Sequence, residues 1–148
     1  MDTIVAISTA IGVGAISIVR LSGKDAIDIV DSIFSRDLKN VESHKVVYGY
    51  IKDNEEVIDE VLVTVMKSPK TYTLEDIVEI SCHGSISTTK KILELIMLKG
   101  ARLAEKGEFT KRAYLNGRID LIEAEGINEL LNSDSELNRK ISINKVSG

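Results

Sequence analysis

Apolar positions along the chain follow two rhythms, every second residue and every third or fourth, and the switches between them mark out the elements. Residues 3–7 and 15–20 are β-branched runs joined by a small-residue stretch with Gly12 and Gly14, which predicts two strands and a loop. Ala26, Ile27, Val30, Ile33 and Phe34 then recur at helical spacing, with Lys24, Asp25, Asp28 and Asp31 between them. That spacing predicts an amphipathic helix, and Ser22 is its candidate N-cap. Residues 46–51 and 58–66 alternate as a strand pair around the polar Asp53-Asn54-Glu55-Glu56 turn.

The only proline, Pro69, sits in a loop that leads through Thr73 and Asp76 to a further strand at 77–82, interrupted by Glu79. After His83-Gly84, residues 85–98 carry Ile86, Ile92, Leu93, Leu95, Ile96 and Met97 on helical spacing, with Gly100 as the stop. A short strand at 102–104, a helix at 108–115 and the Asn116-Gly117 break follow. From Asp120 onward Leu121, Ile122, Ala124, Ile127, Leu130 and Leu131 give a second helical pattern, with Asp120 and Glu123 at capping-box spacing. Residues 133–148 are polar and weakly helical. The reading is an α+β domain with a mixed sheet over residues 1–118, and over 119–148 the first helical segment of an all-helical domain, truncated within it.

Composition narrows the chemistry. Of 148 residues, 43% are apolar and 28% charged, which supports a folded core. Nineteen basic against 23 acidic residues leave a net charge of −4, which argues against a broad phosphate-backbone binder. With no Trp, two Phe and four Tyr there is little aromatic surface for stacking successive bases. A single cysteine, Cys82, excludes an internal disulfide and a CxxC site and points to a reducing, cytoplasmic setting. The apolar start carries Asp2, lacks a basic leader and is broken by glycines, so it reads as strands rather than as a signal peptide or membrane span.

The obvious motifs fall away on their spacing. Gly12-Val13-Gly14 has Ser17 where a dinucleotide loop needs its third glycine, and a strand follows where a helix should. The one Gly-Lys pair, Gly23-Lys24, precedes Asp25 and is no Walker A loop. Cys82 and His83 are strand neighbours that point to opposite faces, so a buried cysteine and a turn histidine are expected rather than a nucleophile and base. Two histidines without ligand spacing make no metal site.

Three charges remain. Arg20 ends an apolar strand on the face of Ile16 and Ile18, and Glu79 sits in mid-strand on the face of Ile77 and Ser81. A carboxylate there either marks a solvated face, as edge strands often do, or awaits a donor-rich ligand. Arg118 follows the Asn116-Gly117 break and reads equally as a surface arginine. The His83-Gly84 turn offers free backbone N–H groups at a helix start, where an anion or only water can sit.

The stretches 2–6 (DTIVA), 14–23 (GAISIVRLSG), 72–84 (YTLEDIVEISCHG) and 107–125 (GEFTKRAYLNGRIDLIEAE) resemble, in order, the N-terminal region of the MnmE/TrmE family of tRNA-modification GTPases. The resemblance implies a fold like the tetrahydrofolate-binding part of the glycine-cleavage T-protein, holding a homodimer together, with a helical domain and an inserted GTPase domain beyond it. It implies a 5-formyl-tetrahydrofolate pocket serving modification of the wobble uridine in tRNA, with a flavin-dependent partner protein, MnmG. GTP, Mg and K would belong to the G domain outside this chain, and the missing Walker A agrees. The family's folate-contacting positions fall on Arg20, Glu79 and Arg118, the last usually lysine in the family. A further family contact lies near the C-terminus beyond this sequence, so the isolated pocket is expected to be incomplete. No catalytic residue and no membrane contact are expected here. A pterin presents an N–H beside an amino group that a carboxylate such as Glu79 can accept, and the formyl oxygen and glutamyl carboxylates suit Arg20 and Arg118. The alternative is a pure dimerisation and partner-docking module. A stand-alone folate-dependent transferase is disfavoured, because the sequence stops inside a helical segment.

Overall fold

The computed structural model describes residues 1–8 and 16–127. The helical readings at Leu130 and Leu131 and over 133–148, and the Gly12–Gly14 loop, lie outside them. Six strands are described: β1 (Ile4–Ile7), β2 (Ile16–Ser22), β3 (Lys45–Asp53), β4 (Glu56–Met66), β5 (Ile77–His83) and β6 (Arg102–Leu103). Three helices accompany them: α1 (Ala26–Asp31), α2 (Ile86–Leu98) and α3 (Glu108–Leu115). A further helical stretch begins at residue 121.

The strands form one mixed sheet in the order β3-β4-β5-β2-β1-β6, antiparallel throughout except for the parallel β1–β6 pair. Alternation along the strands decides its two faces. Val5, Val19, Leu21, Val61, Val63, Val65, Val78 and Ile80 point to one side. There they join Ala26, Ile29 and Val30 of α1 and Ile92, Leu95 and Ile96 of α2 in a single core. The opposite face carries Ile16, Ile18, Arg20, Glu79, Ser81, Leu62 and Tyr48, and it is open over much of its area.

α2 forms where the pattern placed it. Ser85 is its N-cap, accepting from the Thr88 N–H, and Gly100 beyond its end takes a φ of 115°. The β3–β4 pair and α3 likewise match the predicted spans to within one to three residues at each end. The Asp120–Glu123 box closes as expected: the Glu123 N–H donates to Asp120 Oδ1 at 2.7 Å, and the Asp120 N–H donates to Glu123 Oε1 at 3.3 Å.

α1 differs. Ser22 is the last residue of β2, fully buried, and its hydroxyl is engaged with Thr73 and Glu75 rather than with a helix end. The N-terminus of α1 is capped from elsewhere, by Thr3 Oγ1, which accepts the Asp25 N–H at 3.0 Å. The helix also stops at Asp31. Residues 33–35 turn away to run beside β3, with Phe34 bridging Ile51 and the Lys52 N–H donating to the Ile33 carbonyl. Ile33 and Phe34 are core residues, as their apolarity requires, but they reach the core outside a helix. No described helix is long and apolar enough to cross a membrane.

Candidate functional site

Antiparallel pairing of β2 with β5 sets Arg20 directly opposite Glu79, on the open face of the sheet. The Arg20 Nε–H donates to Glu79 Oε2 at 2.7 Å, and Nη2 lies 2.6 Å from the same oxygen. The side chains are 34% and 23% exposed, so neither reading of a strand carboxylate was complete: Glu79 is paired, yet it still meets solvent. A pair this exposed contributes about 1 kcal/mol or less to stability, too little to account for its position. Among the described residues Glu79 Oε1 accepts no hydrogen bond and Arg20 Nη1 donates none, so each partner keeps an unused group.

α3 reaches this pair with its first turn. Phe109, in its first turn, lies under Arg20, whose guanidinium carbon is 5.8 Å from the ring centroid. One turn on, Arg112 is buried, with 3% of its side chain exposed. It donates to the Asp2 carbonyl, to Asp2 Oδ1 at 2.7 Å and to both oxygens of Glu75 at 3.1 and 3.3 Å. Glu75 also accepts from Ser22, and Asn116 Nδ2 donates to the Thr73 carbonyl at 2.8 Å. Arg102 adds contacts to Asp2 and Glu108 at 2.6 Å each. These N–H donors hold Asp2 at a pKa of about 2, with Arg102 the largest cause, and Arg102 likewise lowers Glu108. Leu74 enters this turn at a φ of 64°, a conformation leucine adopts only when its surroundings over-determine it.

Arg118 stands apart from the pair. It is exposed, its N–H caps α3 by donating to the Ala113 carbonyl at 2.8 Å, and its guanidinium makes no hydrogen bond or ion pair among the described residues. It lines an open groove of about 440 Å³ with His44, Met66, Pro69, Lys70 and Tyr72. Tyr72 joins this groove to α3 through a 3.1 Å hydrogen bond between its hydroxyl and that of Thr110. The structure therefore unites Arg20 and Glu79 directly, and relates Arg118 to them only through α3.

Cys82 and His83 do point to opposite faces. Cys82 is buried against Ser17 and Thr89, and burial raises its thiol pKa. His83 ends β5 rather than sitting in a turn, and its Nδ1 lies 2.7 Å from Asp59 Oδ1. Sequence reasoning missed Phe109, Arg112 and Asp59. Nothing local distinguishes them, since their partners lie far along the chain.

Beyond the pair the open face mixes apolar side chains with Thr64, Ser81 and Glu60. Ile16, Val46, Tyr48 and Leu62 are each roughly half exposed, and Tyr48 packs edge-on to Tyr50 with centroids 5.8 Å apart. The hydrogen bond between the Tyr48 and Tyr50 hydroxyls is the main cause that raises the Tyr48 pKa.

The fold and this face define a mixed α+β domain with a charged pair on its two central strands, on an open, partly apolar sheet face. The family model of the GTP-binding protein TrmE N-terminus matches residues 3–118, and the chain belongs to that family. Similar proteins, each described as tRNA modification GTPase MnmE, include one from Shouchella clausii, 53% identical over 152 residues that cover 100% of this chain and 33% of that protein. One from Streptococcus thermophilus is 51% identical over 148 residues, covering 99% and 32%. One from Bacillus cytotoxicus is 53% identical over 150 residues, covering 99% and 33%. The chain spans about a third of the length of the curated relatives it matches.

Proposed function

We propose that this chain is the folate-binding and dimerising part of a cytoplasmic tRNA-modification GTPase. In this reading 5-formyl-tetrahydrofolate is held as one-carbon donor for a carboxymethylaminomethyl-type modification of the wobble uridine. Residues 1–118 form a domain of the tetrahydrofolate-binding type found in the glycine-cleavage T-protein, and 119–148 open a helical domain. GTP with its Mg and K ions, the MnmG partner and tRNA engage the remainder of the longer protein.

The observation that carries the reading is the Arg20–Glu79 pair: a carboxylate in mid-strand, 23% exposed, bonded to an arginine through Oε2, with Oε1 accepting no hydrogen bond among the described residues. Its chemistry fits the group. A pterin donates through adjacent N–H and amino groups, which an ionised carboxylate accepts strongly. Arg20 Nη1 and Arg118, whose guanidinium makes no ion pair among the described residues, supply cations for the formyl and glutamyl oxygens.

A second reading is favoured by two observations, the distance of Arg118 from direct contact with the pair and the partly apolar open face. On it the chain is an assembly module whose pocket is too incomplete to hold folate. Calorimetric titration of the 148-residue chain with 5-formyl-tetrahydrofolate, beside Glu79→Ala and with mass by light scattering, separates the two. Binding by a dimer that Glu79→Ala abolishes supports the folate site. A folded dimer that gives no heat leaves the assembly module.

A further inference from the structure

Phe109 is one of two phenylalanines in the chain, and it is the one the core does not use. Phe34 is buried in the main cluster, whereas Phe109 belongs to neither apolar cluster and is only half-buried. Its neighbour of note is a charge, the Arg20 guanidinium over its ring. The helix that carries it is anchored just before that position by the Arg102–Glu108 ion pair and just after it by Thr110 and Arg112. Thr110 is bonded to Tyr72, and Arg112 is clamped by Asp2 and Glu75. The backbone that carries the ring is therefore held in place by part-buried contacts at Thr110 and Arg112.

We propose that Phe109 is a positioning residue of the Arg20–Glu79 site. Its ring holds the Arg20 guanidinium flat, and this fixes the Glu79 carboxylate, with Oε1 left uncommitted, for the N–H edge of a planar nitrogen heterocycle. Arg20 commits Nε and Nη2 to a single oxygen of Glu79, so the orientation of the carboxylate follows that of the guanidinium. A guanidinium on a flexible side chain needs a second support to stay in one plane, and an aromatic face within about 6 Å supplies it electrostatically. A carboxylate already held in its binding orientation loses less freedom when a ligand docks. The inference rests on the folate reading for the identity of the heterocycle, but the placement of Phe109 does not.

The test compares Phe109→Leu, which keeps apolar volume and removes the π face, with Phe109→Tyr, which keeps the ring. Far-UV circular dichroism checks that both fold. In the ligand-free chain the Arg20 Nε–H proton resonance, assigned with Arg20→Lys, is expected to move downfield and to exchange faster in Phe109→Leu and to stay in place in Phe109→Tyr. Titration with 5-formyl-tetrahydrofolate is expected to show about three- to tenfold weaker binding for Phe109→Leu, with Phe109→Tyr close to the parent. An Arg20 resonance that ignores Phe109→Leu overturns the proposal. So does an unchanged affinity in a parent that binds. A parent that binds no folate sinks the folate reading alone, and the resonance comparison still decides for or against Phe109.

Discussion

At Gly23 a single missing side chain decides how β2 hands over to α1. Its φ of 144° is one that residues with a Cβ rarely adopt, and an added Cβ would stand 2.5 Å from Thr3 Oγ1 and 2.6 Å from Thr3 Cα. Thr3 cannot yield, because its hydroxyl caps Asp25 and its backbone leads into β1. Gly23→Ala is therefore expected to lower stability by about 2–4 kcal/mol, overpacking and backbone strain together, as measured by urea unfolding. A loss below about 0.5 kcal/mol would contradict the packing described. At this scale the sequence showed Arg20 and Glu79 as oddities, because a charge in a strand breaks the alternation. It could not show that they face each other, which depends on the register between strands. Phe109 and Arg112 were hidden for a related reason: on a helix otherwise polar in pattern, neither breaks a local rule.

Among the elements, those whose pattern and punctuation agree were legible: the β3–β4 pair with its acidic turn, α2 between Ser85 and Gly100, α3, and the Asp120–Glu123 box. α1 was misread because Ser22 satisfies a capping rule locally while a distant partner, Glu75, takes its hydroxyl, and because Ile33 and Phe34 extend a helical spacing that the edge of β3 overrides. The sheet itself presents the next question, since its open face keeps apolar side chains that a lone domain has no reason to expose together. Leu62 stands in the middle of β4 on that face, outside the core cluster. On the dimer proposed above, Leu62→Lys is expected to leave the unfolding stability of the single chain within about 0.5–1 kcal/mol of the parent, as surface substitutions do, while shifting the light-scattering mass from dimer to monomer. An unchanged dimer mass would place the seam elsewhere.

For the molecule as a whole, the N-terminus, the loop before β5 and α3 are tied into one unit by Asp2, Glu75, Arg112 and Arg102. Asp2 has its pKa depressed from 3.8 to about 2 in the folded chain, so its contribution to stability is present above pH 4 and is lost as the pH falls toward 2. Glu108, lowered by the same arginine, acts in the same direction. The melting temperature of the parent is expected to fall steeply across that interval and that of Asp2→Asn to fall less, as read by circular dichroism. Parallel slopes would remove Asp2 from the unit.

The pairing of β2 with β5 has a further consequence, for synthesis. β1 and β2 leave the ribosome first, yet Arg20 finds Glu79 only 59 residues later, and β1 waits longer still for β6. The meander of β3, β4 and β5 can close among near neighbours as it emerges, whereas the opening pair of strands carries an unsatisfied edge until that meander offers one. Within this sheet the β3–β5 meander is thus expected to pair first, with β1 and β2, made before it, locked in afterwards.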